Sequence, residues 1–508
     1  MITLIGGEMP EYAEEYPPAG GPLHRHLLER LPTGIRVLVA GPHDPGLISA
    51  LADRRDVTCL VRSQPDAGSL PGNVLCGTLA KLTDADRYDV VVALDGTGRL
   101  CSPEGPQLDW AASVRVLKRA LRPGGTLLLT VENELGVHRL VDPRAPTASP
   151  AGDAWRPLGE FGSAPGRPDR LAAALAAEGL PVAGMAAAWP LPARPTLLVT
   201  PETLRYGPLD ALAAFASASV APAYDRVLSD PRRLAAAAVR RGLGAETAPA
   251  WLAVAQRAHR PGQTVALPPA LFAGPSGAVT EIVGAPDGSW LRRVVPGWLA
   301  PLSPGTGDSG ASQPGFPHGP LPAGRLLEER LLTAALAHDL PDLRRLLTGW
   351  MTALPMAAAD NVLVDGEQFV VLDPTVPDQP DALARLANTL ITGGYHHPWP
   401  AVTEVPRLIA ILAGAAGLAG TPAAPTEPAP APDGRRELEI QLDALRRRLA
   451  DAEARSHFFE AELEKREAEL GRAKTQIAAF SGNLGYRAAK AGLVLARAAR
   501  NRLRKGRS

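Results

Sequence analysis

Between residues 35 and 200 the chain alternates short apolar runs with stretches of helical periodicity, and no other feature limits its fold as strongly. Ile35–Ala40, Val57–Val61, Tyr88–Leu94 and Thr126–Val131 read as strands. The unbroken apolar character of Tyr88–Leu94 fits a strand covered on both faces. Helical segments follow at Pro45–Asp53 and along Trp110, Val114, Leu117 and Leu121, where Arg122-Pro123-Gly124-Gly125 stops the helix. A helix near Asp169–Glu178, a strand at Val182–Ala188 and a strand at Pro195–Thr200 complete the series. Such alternation implies crossover connections and a mostly parallel, doubly wound α/β sheet.

Residues 205–415 read as a second, α+β domain. Asp225–Gly242, Ala248–Ala258, Arg325–His338 and Asp342–Leu354 have helical patterns. Ala278–Val295 reads as a hairpin turning at Pro286-Asp287-Gly288. Asn361–Val364 and Phe369–Leu372 form another around Asp365-Gly366. Leu302–Gly324, dense in Gly, Pro and Ser, reads as an insertion.

Residues 416–434 are a proline–alanine linker. Residues 435–484 then carry two interleaved seven-residue series. One is Leu442, Leu449, Ser456, Leu463, Leu470, Ile477, Leu484; the other is Leu438, Leu445, Ala452, Phe459, Arg466, Ala473, Phe480. Twelve of these fourteen positions are apolar, which predicts a C-terminal coiled coil and self-association through it. The tail, residues 485–508, holds eight Lys or Arg and no acid. Lys490, Arg497, Arg500 and Arg504 project to one side of a helix, which fits an anionic membrane surface.

The formal net charge over 508 residues is zero, which argues against a sequence-specific nucleic-acid partner. Three cysteines without a CxxC pair fit a reducing compartment. The start, MITLIGGEMPEYAEEY, is acidic and lacks a signal pattern, and the longest apolar run, Leu408–Ala419, is 12 residues. The expected location is therefore cytoplasmic, peripheral at the inner face of the membrane where the tail engages it.

Chemistry is expected first at the turn after the first strand, Ala40-Gly41-Pro42-His43-Asp44-Pro45-Gly46, where glycines let a ligand approach a helix N-terminus. With the second strand, YDVVVAL and LKRALRPGGTLLLTVEN, this order of parts resembles the class I S-adenosylmethionine-dependent methyltransferases over about 165 residues. The resemblance implies a Rossmann-like methyltransferase domain over residues 1–204, closed by a hairpin of its last two strands. It also implies S-adenosylmethionine as cofactor, bound by Gly41, His43, Asp44, Gly46, Arg62 and Asp95, and acceptors near Glu132, Asn133 and His138. The family's glycine loop begins with an acid, where this chain has Val39. The family's ribose-binding acid follows strand two, where this chain has Val61-Arg62-Ser63 and no carboxylate before Asp66. Two functions stay open: a methyltransferase in glycan or secondary-metabolite synthesis, and a non-catalytic oligomeric scaffold.

In the second domain, Asp360-Asn361-Val362-Leu363-Val364-Asp365-Gly366 followed by Val370-Val371-Leu372-Asp373 resembles the aminoglycoside-phosphotransferase and protein-kinase-like fold. That resemblance implies magnesium-holding roles for Asn361 and Asp373. Met356 stands where the catalytic Asp belongs, and Arg292 or Arg293 is a poor substitute for the nucleotide-binding Lys. A kinase-like remnant and an ordinary hairpin both stay open, and no phosphate transfer is expected. His396 and His397 are adjacent, so no metal site is expected there. The order of parts over the whole chain resembles the bacterial methyltransferase–kinases that cap O-antigen polysaccharide.

Overall fold

The structure is a computed structural model. It describes all residues except 15–16, 84–86, 142–163, 221–229, 259–265, 296–318, 394, 419–431, 483 and 506–508. Most of the expected insertion and of the linker thus lies outside the described residues. Two compact units emerge, Met1–Pro432 and Asp433–Ser508.

The first unit begins with β1 (Ile2–Gly6), α1 (Pro22–Glu29), β2 (Arg36–Ala40), α2 (Pro45–Ala52), β3 (Asp56–Val61), α3 (Gln64–Ser69), β4 (Asn73–Gly77) and β5 (Tyr88–Ala93). It continues with α4 (Trp110–Ala120), β6 (Leu121–Glu132), α5 (Val137–Val141), α6 (Pro168–Ala177), β7 (Val182–Trp189) and β8 (Leu197–Val199). Helices α7 (Pro201–Tyr206), α8 (Leu209–Val220), α9 (Pro231–Arg240) and α10 (Gly244–Thr247) precede β9 (Ala250–Gln256), β10 (Ala270–Ala273), β11 (Val279–Gly284), β12 (Trp290–Val294) and β13 (Gly319–Pro320). The last part holds β14 (Arg325–Leu326), α11 (Leu327–Leu336), α12 (Leu340–Ala353), β15 (Val362–Asp365), β16 (Gln368–Val371), α13 (Ala382–Thr392) and α14 (Val405–Ala415).

Among the described residues, thirteen strands join in one sheet, ordered β1-β4-β3-β2-β5-β6-β9-β7-β8-β10-β11-β12-β13. From β1 to β6 every neighbouring pair is parallel. Strand β9 is antiparallel to both β6 and β7. Alternate residues feed the two faces. Leu38, Val91 and Leu129 pack with Trp110, Val114 and Leu117 of α4, while Val37, Val39 and Val92 pack with Leu23 and Leu27 of α1 and Ile48 of α2. This is the doubly wound arrangement expected from the apolar runs.

Two expectations need correction. Ala248–Ala258 is not a helix; it contains β9, whose seven residues are all buried. The last two strands expected of the first domain, β7 and β8, pair antiparallel, and the sheet partner beside β6 is β9. The sheet therefore runs straight across the boundary expected at 204/205. Among the described residues, the part built from α11–α14 has a core of its own, around Leu331, Leu346, Trp350 and Leu408, beside the small β14-β15-β16 sheet.

The second unit is helical: α15 spans Pro432–Gly482 and α16 spans Leu484–Lys505. Leu445, Leu449, Phe459, Leu463, Leu470 and Ile477 of the heptad series are exposed on the single chain. Among the described residues, no helix is long and apolar enough to cross a membrane.

Candidate functional site

Chain connections leave β2 toward β3 on one side, while β5 lies on the other, so the strand order reverses between β2 and β5. Ligands of open α/β sheets bind at such a point, outside the carboxyl ends of the strands. Gly41 follows β2 with φ 93°, a left-handed conformation that favours glycine. Asp44 then caps α2, its Oδ1 accepting from the Gly46 N–H at 2.9 Å. The glycine turn and the capped helix start expected after this strand are therefore present and form the floor of this strand end.

His43 is part of that floor but is not poised to hold a ligand. Its buried ring donates from Nδ1 to the Gly41 carbonyl at 2.9 Å, and its Nε2 accepts from the Leu94 N–H at 3.3 Å. The Leu94 donor fixes the neutral tautomer and staples the turn after β2 to the end of β5. Burial pushes its pKa down to about 4. Burial likewise pushes the neighbouring His24 of α1 down to about 3. Asp44 turns outward to Arg194 at 3.3 Å, and Gly46 is exposed, so these two stand apart from the other expected site residues.

Arg62 and Asp95 do converge, through residues the sequence reading missed. Arg62 donates from Nε to Glu14 Oε1 at 2.7 Å, from Nη2 to Glu14 Oε2 at 3.1 Å, and from Nη1 to the Cys101 carbonyl at 2.8 Å. Arg99 pairs with Asp95, its Nε lying 2.8 Å from Oδ2, and stands 3.9 Å from Glu14. The four side chains are nearly sealed from solvent: Glu14 is 5% exposed, Arg62 3%, Arg99 9% and Asp95 4%. Burial raises the Asp95 carboxyl to about 6 against the pull of Arg99.

Glu14 comes from a strap that crosses the strand ends. Met9 donates to the Arg62 carbonyl at 2.8 Å, and its own carbonyl accepts from Gln64 at 3.1 Å. The Tyr12 carbonyl accepts from Ser63 Oγ at 2.7 Å, and the Glu14 N–H donates to Asp66 Oδ2 at 3.1 Å. Further on, Ala19 N–H donates to the Pro42 carbonyl at 3.0 Å, and Asp44 N–H to the Ala19 carbonyl at 2.9 Å. Directly over Gly41, an added Cβ would meet Asp95 Cβ at 3.4 Å and Leu100 Cδ2 at 3.6 Å. Asp95 and Leu100 thus lie against the floor at Gly41, and the strap is bonded to the turn beside it. One sequence signal pointed here: Arg62, standing where the family has an acid, needs a counter-charge when buried, and the acidic N-terminal run could supply it.

The expected acceptor-side residues divide. Asn133 pins the approach to β9, donating to the Glu246 and Ala248 carbonyls at 2.6 and 2.9 Å. His138 Nε2 lies 2.9 Å from Glu132 Oε1 on a more open edge.

A second polar cluster brings Asn361 and Asp373 together. Asn361 Nδ2 donates to the Asp373 carbonyl at 2.9 Å, and its Oδ1 accepts from the Asp373 N–H at 2.8 Å. Asp373 Oδ1 accepts from Thr375 N–H at 2.9 Å and from Thr375 Oγ1 at 2.8 Å. Its buried Oδ2 has no hydrogen-bond partner, and an added Cβ on Gly274 would sit 2.2 Å from it. Arg292 donates to the Leu372 carbonyl at 2.9 Å. Asn361 thus spends its amide on the backbone as a clasp. Among the described residues, no cluster of His, Cys, Asp and Glu could hold a metal ion.

No protein-family model and no curated protein matches the chain. Solved structures similar to it include an S-adenosylmethionine-dependent methyltransferase from Geobacter sulfurreducens in complex with S-adenosyl-L-homocysteine, at 17% identity and TM-score 0.25, covering 48% of this chain and 93% of that one. The CcbJ methyltransferase from Streptomyces caelestis is similar at 17% identity and TM-score 0.26, over 49% of this chain and 94% of its own. The N-methyltransferase NodS from Bradyrhizobium japonicum is similar at 11% identity and TM-score 0.25, over 47% of this chain and 96% of its own.

Proposed function

We propose that the chain is an S-adenosylmethionine-dependent methyltransferase whose cofactor lies over the β2–α2 turn once the strap has moved aside. One observation carries this reading: a left-handed glycine leads into a side-chain-capped helix where the strand order reverses. The cofactor would supply an activated methyl group. The chain's part would be to hold cofactor and acceptor in line, and Glu132 and His138 lie at the adjacent strand end for the acceptor side. The acceptor class we propose is a glycan or secondary metabolite, from the order of parts along the chain.

Calorimetric titration of the full chain with S-adenosylhomocysteine tests the reading. Saturable binding that disappears in Gly41→Val is the expected result; a side chain there meets Asp95 and must adopt an unfavourable φ. Absence of binding at millimolar ligand, in the wild type and in a strap-released variant, would end it. The sealed ion cluster favours a second reading, a scaffold whose cleft is permanently filled by its own strap, and that outcome would select it.

A further inference from the structure

The cluster at the carboxyl ends of β3 and β5 contains two buried arginines and one carboxylate that comes from neither strand. Arg62 closes β3 and Arg99 follows β5, so both belong to the sheet's rim. Asp95 is four residues from Arg99 and neutralises it locally. Glu14, by contrast, is separated from Arg62 by 48 residues of chain and reaches it by way of the strap. Its two oxygens take the two-pronged position that a guanidinium offers to any carboxylate or phosphate.

We infer that Arg62 and Arg99 form an anion-binding site for a ligand's carboxylate or phosphate, and that Glu14 is its resident, displaceable occupant. The inference deepens the cofactor reading and rests on it for the place of the ligand. Three observations support it. First, the arginine stands at the second-strand end, about 20 residues after the glycine turn, where an acid would accept from ribose hydroxyls and an arginine instead accommodates a ribose phosphate.

Second, polar links hold the strap more than apolar burial does. Met9 and Tyr12 are half-buried and Pro10, Glu11 and Ala13 are exposed; among the described strap residues, the apolar burial lies at the far end, at Ala19 and Gly20. A segment with few buried apolar contacts opens at low cost. An incoming anion would restore the ion pairs that Glu14 gives up, so the exchange strands no buried charge.

Third, the strap has space beside it. A hollow of about 410 Å³ separates Met9, Pro10 and Tyr12 from Pro103 and Glu104. A strap released from Arg62 would have that space to move into.

Hydrogen exchange over residues 8–14 and calorimetry on the full chain test the site, comparing wild type with Glu14→Gln. The probes are adenosine 2′-phosphate, S-adenosylhomocysteine and adenosine. We expect at least tenfold faster exchange of the strap in Glu14→Gln with β2 and β3 still protected. We also expect at least one anionic probe to bind the variant tenfold or more tighter than wild type, with no such gain for adenosine. A gain for S-adenosylhomocysteine identifies the carboxylate as the recognised group. A gain for adenosine 2′-phosphate, with S-adenosylhomocysteine binding neither protein, supports the anion site and overturns the methyltransferase reading. Unchanged strap exchange, or an anionic gain no larger than adenosine's, overturns the anion site; S-adenosylhomocysteine binding to wild type would then leave the methyltransferase reading standing. Failure of every probe on both proteins overturns both. If Glu14→Gln loses protection throughout the sheet, Tyr12→Ala gives the same readings, because it removes the ring 5.3 Å from the Arg62 guanidinium and strands no charge.

Discussion

Glu14 of the strap and Asp373 after β16 are both buried carboxylates, and they are satisfied in opposite ways. Glu14 has both oxygens taken by Arg62 and Arg99 nearby. Asp373 has one oxygen satisfied by its own turn at Thr375, and the other has no donor. The first is tied across the fold by charge; the second is held locally by backbone geometry. Burial alone therefore does not tell which carboxylate the fold depends on. What matters is whether removing a partner strands a charge.

Arg62→Ala tests that distinction most severely. It removes the main partner of a sealed carboxylate, a change that typically costs about 3–5 kcal/mol. A lower urea midpoint for the first unit is expected, with Arg62→Lys recovering part of it. A loss under about 1 kcal/mol would show that Glu14 swings out to water and that the strap is already loose.

Acid is the next probe. His24 and His43, beneath the first cluster, have folded pKa values near 3 and 4 against an ordinary 6.5. Their contribution is complete above pH 6.5 and is lost as pH falls toward 4, by about 2 kcal/mol for each histidine at pH 5. Asp95, raised from 3.8 to about 6, works in the other direction over the same range and offsets part of the loss. Urea midpoints at pH 7 and pH 5 should show a net decrease, and His43→Gln should flatten the profile. An unchanged midpoint at pH 5 would mean that the imidazoles are not sealed.

Asp373→Asn should have the smallest effect. The Thr375 bonds to Oδ1 survive, and the replaced oxygen had no partner to lose, so the change should stay within about 1 kcal/mol by thermal melting. A loss as large as that of Arg62→Ala would mean that Arg292 balances this carboxylate after all.

The sequence revealed the parallel half of the sheet better than the antiparallel half. Ile35–Ala40 and Tyr88–Leu94 are apolar runs bounded by turn residues, and they became β2 and β5. Strand β9, Ala-Trp-Leu-Ala-Val-Ala-Gln, is as apolar but rich in alanine, and a short buried run of that kind fits either a helix or a strand. Only its two neighbours in the sheet decide, and both lie more than sixty residues away or across several helices in the chain. The glycine turn and Arg62 were visible in the sequence. Glu14 was not, because its role is defined by a contact that no local pattern encodes. His43 was visible as a residue of the turn, but its work as a staple depends on Leu94.

The place of β9 also sets a timetable for the chain as it leaves the ribosome. Strands β2 to β6 can pair as they emerge, but the edge of β6 stays open until residues 250–256 arrive. At about 5–20 residues per second, more than a hundred further residues mean several seconds of exposed strand edge. A fragment ending near residue 204 would keep that edge open permanently and present it to other chains.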